Sequence, residues 1–463
     1  MDRFEYQPID LQDSHSFRLV RLYYGDYNPI QCELFDAWLD DKDSIIEYDA
    51  LSYRWEDEFK SSEIEVNERK MLVTENLSLA LLRLRYRDRD RILWVDAICI
   101  NQSNDMEKGH QVQQMASIYK RAEQVVVWLG QSTYETDLVF RHMCQLEKEA
   151  LEHACNDWQA SDPRWQNLWV IVKRLLLNSQ SLLSDNQPLL DDAWSDLIGT
   201  CLRVLLNRTW FRRVWIIQEV ANARSARIIC GAESVSARIF AIFPSIVGII
   251  PDPHCQAVLE IMPGPSRKHS WWTKDRDLYT LLQKFKGSEA TIPRDVIYAL
   301  RNISSDVSGS DILIPDYEKS EEEVVRDTVA FLLGFRFRDN VQSYLPLWTL
   351  SIFLQSLDSL AKALCVWAID NGQTGIINQL LYTVGSPVGL KGNHAQMLLC
   401  WAAETQHKAE VKFLLDTGKV DVNLSDQNGQ TPIDIAMQYG YAAIVQLLLN
   451  TGKVDVNQRD QNG

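Results

Sequence analysis

Hydrophobic and polar positions change period several times along this chain, and the changes mark its elements. The run 92–100 (ILWVDAICI) is almost continuously apolar and of strand length, the pattern of a strand buried on both faces. Asn101 and Gln102 break it. From Asp105 the apolar positions Val112, Met115, Tyr119 and Ala122 recur at helical spacing, which predicts an amphipathic helix ending before the apolar run 125–129. Strand, helix and strand in this succession predict parallel pairing through a right-handed crossover. A helix over 210–221 and a strand over 226–230, closed by Gly231, extend the pattern. Residues from about 17 to 237 therefore read as α/β with a mainly parallel sheet. The stretch 158–192 lacks strong periodicity and reads as an insertion of loops and helices, placed at about 150–195.

Further along, Pro, Gly and Ser become dense over 251–267, which predicts a linker, and a helical region follows from about 278 to 337. The remainder is repetitive. LLDTGKVDVNLSDQNG, beginning at Leu414, recurs 34 residues later as LLNTGKVDVNQRDQNG, beginning at Leu448. Ala368, Ala402 and Ala436 keep that spacing, as do Ile377, Val411 and Val445, and Leu380, Leu414 and Leu448. These predict three helix-pair units. Within the best one, residues 426–429 supply a turn, Thr431-Pro432 starts a helix and Gly440 ends it. The segment DQNGQTPIDIAMQYGYAAIVQLLL resembles an ankyrin repeat, with Ile433 and Asp434 where that family usually has Leu and His. The expected organisation is an α/β domain over 1–250, a linker and helical region over 251–350, and ankyrin-like repeats over 360–463, the last incomplete.

Charge narrows the function. A net charge of -16 argues against nucleic acid as a partner, because a phosphate-tracking surface needs clustered cations. The arginines 83, 85, 87, 89 and 91 are interrupted by Asp88 and Asp90 and read as a solvated loop edge. Nine Cys without a C-x-x-C pair, and no basic-then-apolar leader, predict reduced thiols in the cytoplasm. No uninterrupted apolar run reaches the length of a membrane span.

Three blocks occur in order: YDALSYRWED from Tyr48, LWVDAICINQSNDMEKGHQVQQMASIYKRAEQVVVWLG from Leu93, and RTWFRRVWIIQEV from Arg208. Together they resemble the heterokaryon incompatibility (HET) domain. IPRDVIYALRNISSD from Ile292 and IPDYEKSEEEVVRDT from Ile314 resemble the helical region that often trails it. The resemblance implies a TIR-like or Rossmann-like fold and a fungal protein that promotes programmed cell death in a self/non-self response. It also implies self-association of the domain and a protein partner for the repeats.

Some TIR domains cleave NAD with a glutamate in a W-x-x-x-E pattern, and Trp215 and Glu219 have that spacing. An acid near a helix C-terminus is disfavoured by the dipole unless something compensates it. Glu219 is accordingly the candidate catalytic acid, or else the partner of Arg212 or Arg213. Ligands of parallel sheets bind beyond the carboxyl ends of the strands, so Trp55, Asp96, Asn101, Gln102, Arg213 and Trp215 are the candidate pocket. Several have a structural alternative: Asp96 as a buried latch, Asn101 and Gln102 as caps of the following helix, Trp55 as core. Dispersed histidines, and the absence of Walker, G-x-G-x-x-G and G-x-S-x-G patterns, give no reason to expect a metal or a cofactor.

Overall fold

The computed structural model describes residues 2–455 apart from 12–14, 27–28, 41–45, 56–59, 156–157, 179–186, 308–312, 335–344, 374, 377–379, 381–393, 419 and 427–428. The chain forms two compact units, one of Met1–Arg276 with Lys284–Glu318, the other of Asp277–Gln283 with Lys319–Gly463.

The first unit is built on one sheet. Its strands are β1 (Ser16–Leu22), β2 (Gln31–Trp38), β3 (Asp49–Tyr53), β4 (Ser62–Val66), β5 (Arg69–Val73), β6 (Arg91–Trp94), β7 (Val125–Trp128), β8 (Ala226–Cys230) and β9 (Glu233–Ser236). They lie in the order β5-β4-β2-β1-β6-β3-β7-β8-β9. The neighbours β6, β3, β7 and β8 are parallel, as the crossover pattern predicts. The expectation of a mainly parallel sheet is nevertheless too strong. Antiparallel pairs β1/β2, β1/β6, β4/β5 and β8/β9 flank the parallel centre, and β2/β4 is parallel. Two of these pairs follow from two-residue turns. β4 and β5 are joined only by Asn67 and Glu68, at φ 50° and 62°, the two-residue geometry whose twist suits antiparallel neighbours. Gly231 turns β8 into β9 at φ 54°, where a Cβ would collide with Ser132.

A second correction concerns the run 92–100. Only its first residues are extended; after Val95 the chain turns into the single-turn helix α2 (Asp96–Cys99). Asp96 Oδ1 accepts the Ala97 N–H at 2.8 Å, and Ile98 and Cys99 donate back to the Val95 carbonyl. The run is apolar because Ile98, Cys99 and Ile100 are buried; a buried helical turn and a buried strand look alike at this length.

Helix α1 (Glu75–Leu84) follows β5, and α3 (Asp105–Arg121) follows α2, with Val112, Met115, Tyr119 and Ala122 buried as their spacing predicts. After β7 come α4 (Tyr134–Glu152), α5 (Arg164–Asn178) and α6 (Gln187–Leu206); α5 lies within the predicted insertion and α6 runs past its end. The predicted helix 210–221 is a short 3-10 turn, Thr209–Arg212, and then α7 (Trp215–Asn222), which packs against α3.

Residues 251–267 are not a linker. They form α9 (Pro253–Ile261) and α10 (Pro265–His269), which follow α8 (Ala237–Ile246), and Val258, Leu259 and Ile261 are buried. Of the four prolines here, Pro253 and Pro265 stand in the first turn of their helices, where the missing N–H has no partner to lose, so two residues that looked like breakers are helix starts.

The basic run is engaged rather than free. Arg83 reaches the carbonyls of Gly231 and Ala232, Arg85 those of Tyr23 and Tyr24, Arg87 pairs with Asp26, Arg91 with Asp49, and Arg89 lies over the Tyr86 ring.

The second unit is helical. Leu360–Asp370, His394–Glu404, Lys408–Asp416, Pro432–Gln438 and Ala442–Leu449 carry the repeat positions. Ala368, Ala402, Ala436, Leu380, Leu414, Leu448 and Val411 are buried and Val445 is half-buried, while Ile377 lies outside the described residues. Asp434 is explained locally: Thr431 and Asp434 cap each other's backbone N–H reciprocally. Leu350–Asp370, with a mean hydropathy of 1.4, has the length and apolarity of a membrane-crossing helix. Yet Leu350, Phe353, Leu357, Leu360, Leu364 and Ala368 along it are buried within the protein.

Candidate functional site

Each of the three sequence blocks sends side chains to one place, beyond the carboxyl ends of β3 and β6. Trp55 follows β3, Asp96 opens α2 after β6, and Arg213 and Glu219 bracket the start and body of α7. The Trp55 indole N–H donates to both Asp96 oxygens at 3.1 Å. Arg213 donates to Asp96 Oδ2 at 3.0 Å, to the Tyr53 carbonyl at 2.6 Å and to Glu219 Oε1 at 3.5 Å. Its guanidinium also lies 5.9 Å from the Trp55 ring centroid, within cation–π range.

This chain of contacts runs from surface to core. Trp55 is 39% exposed, whereas the side chains of Arg213, Asp96 and Glu219 are 17%, 8% and 0% exposed. Burial works against the charge on Arg213, but Glu219 and Asp96 outweigh it and hold the guanidinium protonated. Burial raises the Glu219 carboxyl to about 7; Arg213 opposes the rise and Asp96 reinforces it. Glu219 Oε2 is enclosed with no partner of hydrogen-bond geometry, although the Ser52 hydroxyl is near enough to favour the ionised form. Ser52 Oγ itself accepts the Trp210 indole N–H at 3.0 Å.

The other candidates are placed differently. Gln102 Nε2 donates to the Asp96 carbonyl at 3.0 Å, bracing α2. Asn101 Oδ1 accepts the Ser103 N–H. Neither caps the next helix, because Asn104 does so through the Glu107 N–H. Trp215 does not join Glu219: its indole N–H goes to Asp295 Oδ2 at 3.2 Å. The partner of Glu219 is Arg213, since Arg212 pairs with Asp252. A cavity of about 290 Å³ between α5, α6 and the end of α8, lined by Trp169, Lys173 and Ile198 among others, contains none of these residues.

Ser52, Tyr53 and Trp210 belong to the site and were not singled out for it by the residue pattern, although all lie inside the blocks. Beneath the site, Arg18 and Glu107 form a two-pronged buried pair at 2.6 and 3.2 Å, and Glu107 also accepts the Asn101 N–H. Its place in the first turn of α3, where the helix dipole favours an acid, is by itself enough to account for Glu107. No local signal ties it to an arginine on β1.

Comparison with known proteins agrees with the blocks. Residues 48–219 match the family described as heterokaryon incompatibility protein (HET), and residues 365–460 match ankyrin repeats (3 copies). The chain is similar to heterokaryon incompatibility protein 6, OR allele, of Neurospora crassa, at 30% identity over 286 residues. The alignment covers 57% of this chain and 40% of that relative, so the chain spans less than half the length of the curated protein it matches. No solved structure matches it. Trp55, Asp96, Arg213 and Glu219 all fall inside the matched span, and the chain contains a HET domain over residues 48–219 and ankyrin repeats over 365–460.

Proposed function

We propose that this protein acts in a heterokaryon-incompatibility-type response, its HET domain promoting programmed cell death in the cytoplasm and its ankyrin repeats recognising a protein partner. The observation that carries this reading is the convergence of all three blocks on one ionic chain, Trp55–Asp96–Arg213–Glu219. Residues spread along the matched span meet beyond the carboxyl ends of the central strands β6 and β3, where a ligand or a second HET domain can reach Trp55. Stacked helix pairs provide the extended surface for the partner. Engagement of the basic run with carbonyls and carboxylates fits a protein that does not track nucleic acid.

The test is inducible expression of the full chain in a fungal host, scoring dye-permeable cells. Wild type kills, and Arg213→Met, present at equal level and folded, does not. Survival of cells holding folded wild-type protein together with its inducing partner overturns the reading.

A second reading has a specific observation in its favour. Glu219 combines an enclosed, unpartnered oxygen with a carboxyl that burial raises to about 7, the range of a working acid or base at neutral pH. In a TIR-like NAD-cleaving site it would stabilise the oxocarbenium-like sugar or position the ribose, once Trp55 and Arg213 have moved aside. NAD loss with purified chain, abolished by Glu219→Gln, supports this; undiminished NAD in a sample whose expression kills cells eliminates it.

A further inference from the structure

Trp215 and Arg213 are adjacent to the same foreign segment, and this segment lies outside the span matched to the HET family. On either side of Arg213 the backbone is paired: the Val214 N–H donates to the Glu289 carbonyl at 3.0 Å, and the Glu289 N–H to the Arg212 carbonyl at 2.6 Å. The first side chain of α7, Trp215, donates to Asp295 Oδ2, and the Tyr317 hydroxyl donates to Asp295 Oδ1 at 2.9 Å. Tyr317 is held in turn. Arg294 donates to its carbonyl and lies over its ring, and Lys108 of α3 lies over the ring at 5.0 Å. Asn302 reaches the Val112 carbonyl of α3 at 3.2 Å. The segment thus contacts both α7, which carries Glu219, and α3, which packs against it.

Asp295 is the informative member. It is buried, and no Lys or Arg among the described residues pairs with it; its two oxygens are occupied by Trp215 and Tyr317 alone. A buried carboxylate is costly unless bonded, and an apolar side chain in its place would often be as stable. What an apolar contact lacks is direction. A carboxylate needing both donors fixes the azimuth of the Trp215 indole, and with it the rotation of α7 about its axis.

We propose that residues 289–307 and 313–318 are a strap of the HET unit and that Asp295 is a positioning residue, acting through Trp215 to hold Arg213 and Glu219 in register. Its consequence for cell death rests on the reading above; its effect on α7 does not. Release of the strap frees the first turn of α7 and lets Arg213 leave Glu219, which gives the site a closed and an open state.

Amide hydrogen exchange of the full chain, read by mass spectrometry for peptides covering 212–222 and for peptides of β1 and β2, tests this. Asp295→Ala removes both bonds and speeds exchange over 212–222 by about tenfold or more, as expected for losing hydrogen bonds to a charged acceptor. β1 and β2 stay as in wild type. Asp295→Asn, which still accepts from Trp215, restores exchange to within about threefold, and Tyr317→Phe, which keeps the ring and removes the hydroxyl, falls between. Unchanged exchange over 212–222 in Asp295→Ala, an equal increase in β1 and β2, or no rescue by Asn each overturns the proposal. Failure of wild type to kill cells would count against the functional reading and leave these exchange outcomes decisive for the strap.

Discussion

Replacing Glu219 by Gln isolates the energetic effect of enclosing an acid. Burial raises this carboxyl from 4.5 to about 7 in the folded chain. Between those values the folded state keeps a proton that the unfolded chain has released. The contribution of this carboxyl to stability is therefore full below pH 4.5, falls as pH rises towards 7 and levels off beyond it. The gap of about 2.5 pH units, at roughly 1.4 kcal/mol each, amounts to about 3 kcal/mol. The amide has nearly the same volume and no proton to lose, so the variant lacks this slope. The quantity to measure is the difference in thermal midpoint between variant and wild type from about pH 5 to about pH 8, in which the other titrating groups cancel. At about 2 °C per kcal/mol for a unit of this size, the variant gains about 5 °C on wild type across that range. A difference constant to about 1 °C would refute the reasoning that enclosure holds the carboxyl protonated, and with it the physical basis for Glu219 as a neutral-pH acid.

Other expectations follow from the same contacts. Arg18→Met leaves Glu107 buried without its partner and costs roughly 3–5 kcal/mol, seen as a lower urea midpoint; adding Glu107→Gln recovers most of the loss, and no recovery would mean the pair is not what destabilises the single variant. Burial lowers His142 to about 4, while Trp194 donates to its Nε2; stability is lost as pH falls from 6.5 towards 4, and His142→Gln, which still accepts that bond, flattens the acid limb of the melting profile. In the repeats, Leu414→Ala removes a fully buried side chain and costs roughly 2–5 kcal/mol, whereas Leu424→Ala, at an exposed position, shifts the melt by less than about 0.5 kcal/mol; equal effects would contradict the packing.

What the residue pattern disclosed and what it hid divide along a physical line. Periodicity within a single element is local, so α3, the parallel centre of the sheet and the 34-residue repeat were legible from spacing alone. Three of the candidate residues, Trp55, Asp96 and Arg213, do meet Glu219 because each lies at an element end inside a recognisable block. Contacts between distant segments leave no such trace. Arg18 with Glu107, and Trp215 with Asp295, are pairs that no sequence spacing connects. Chemistry with two uses was also misleading: the prolines at 253 and 265 open helices where they seemed to mark a linker, and the apolarity of 98–100 reflects burial of a helical turn.

The order of the sheet has a bearing on how such a domain can be inherited. The span that resembles other HET proteins starts at residue 48 and ends at 219, yet it is not a body that can stand alone. Within it, β4 and β5 pair only with each other, because β2, which joins them to the rest, lies upstream. β6 and β7 would show bare edges where β1 and β8 belong, and naked edges invite aggregation. A recombination event that moved only the recognisable part between genes would deliver two disconnected pieces of sheet. The heritable unit is wider than the signature by which it is known, and gene fusions that preserve function must have their junctions outside the strands that close the sheet.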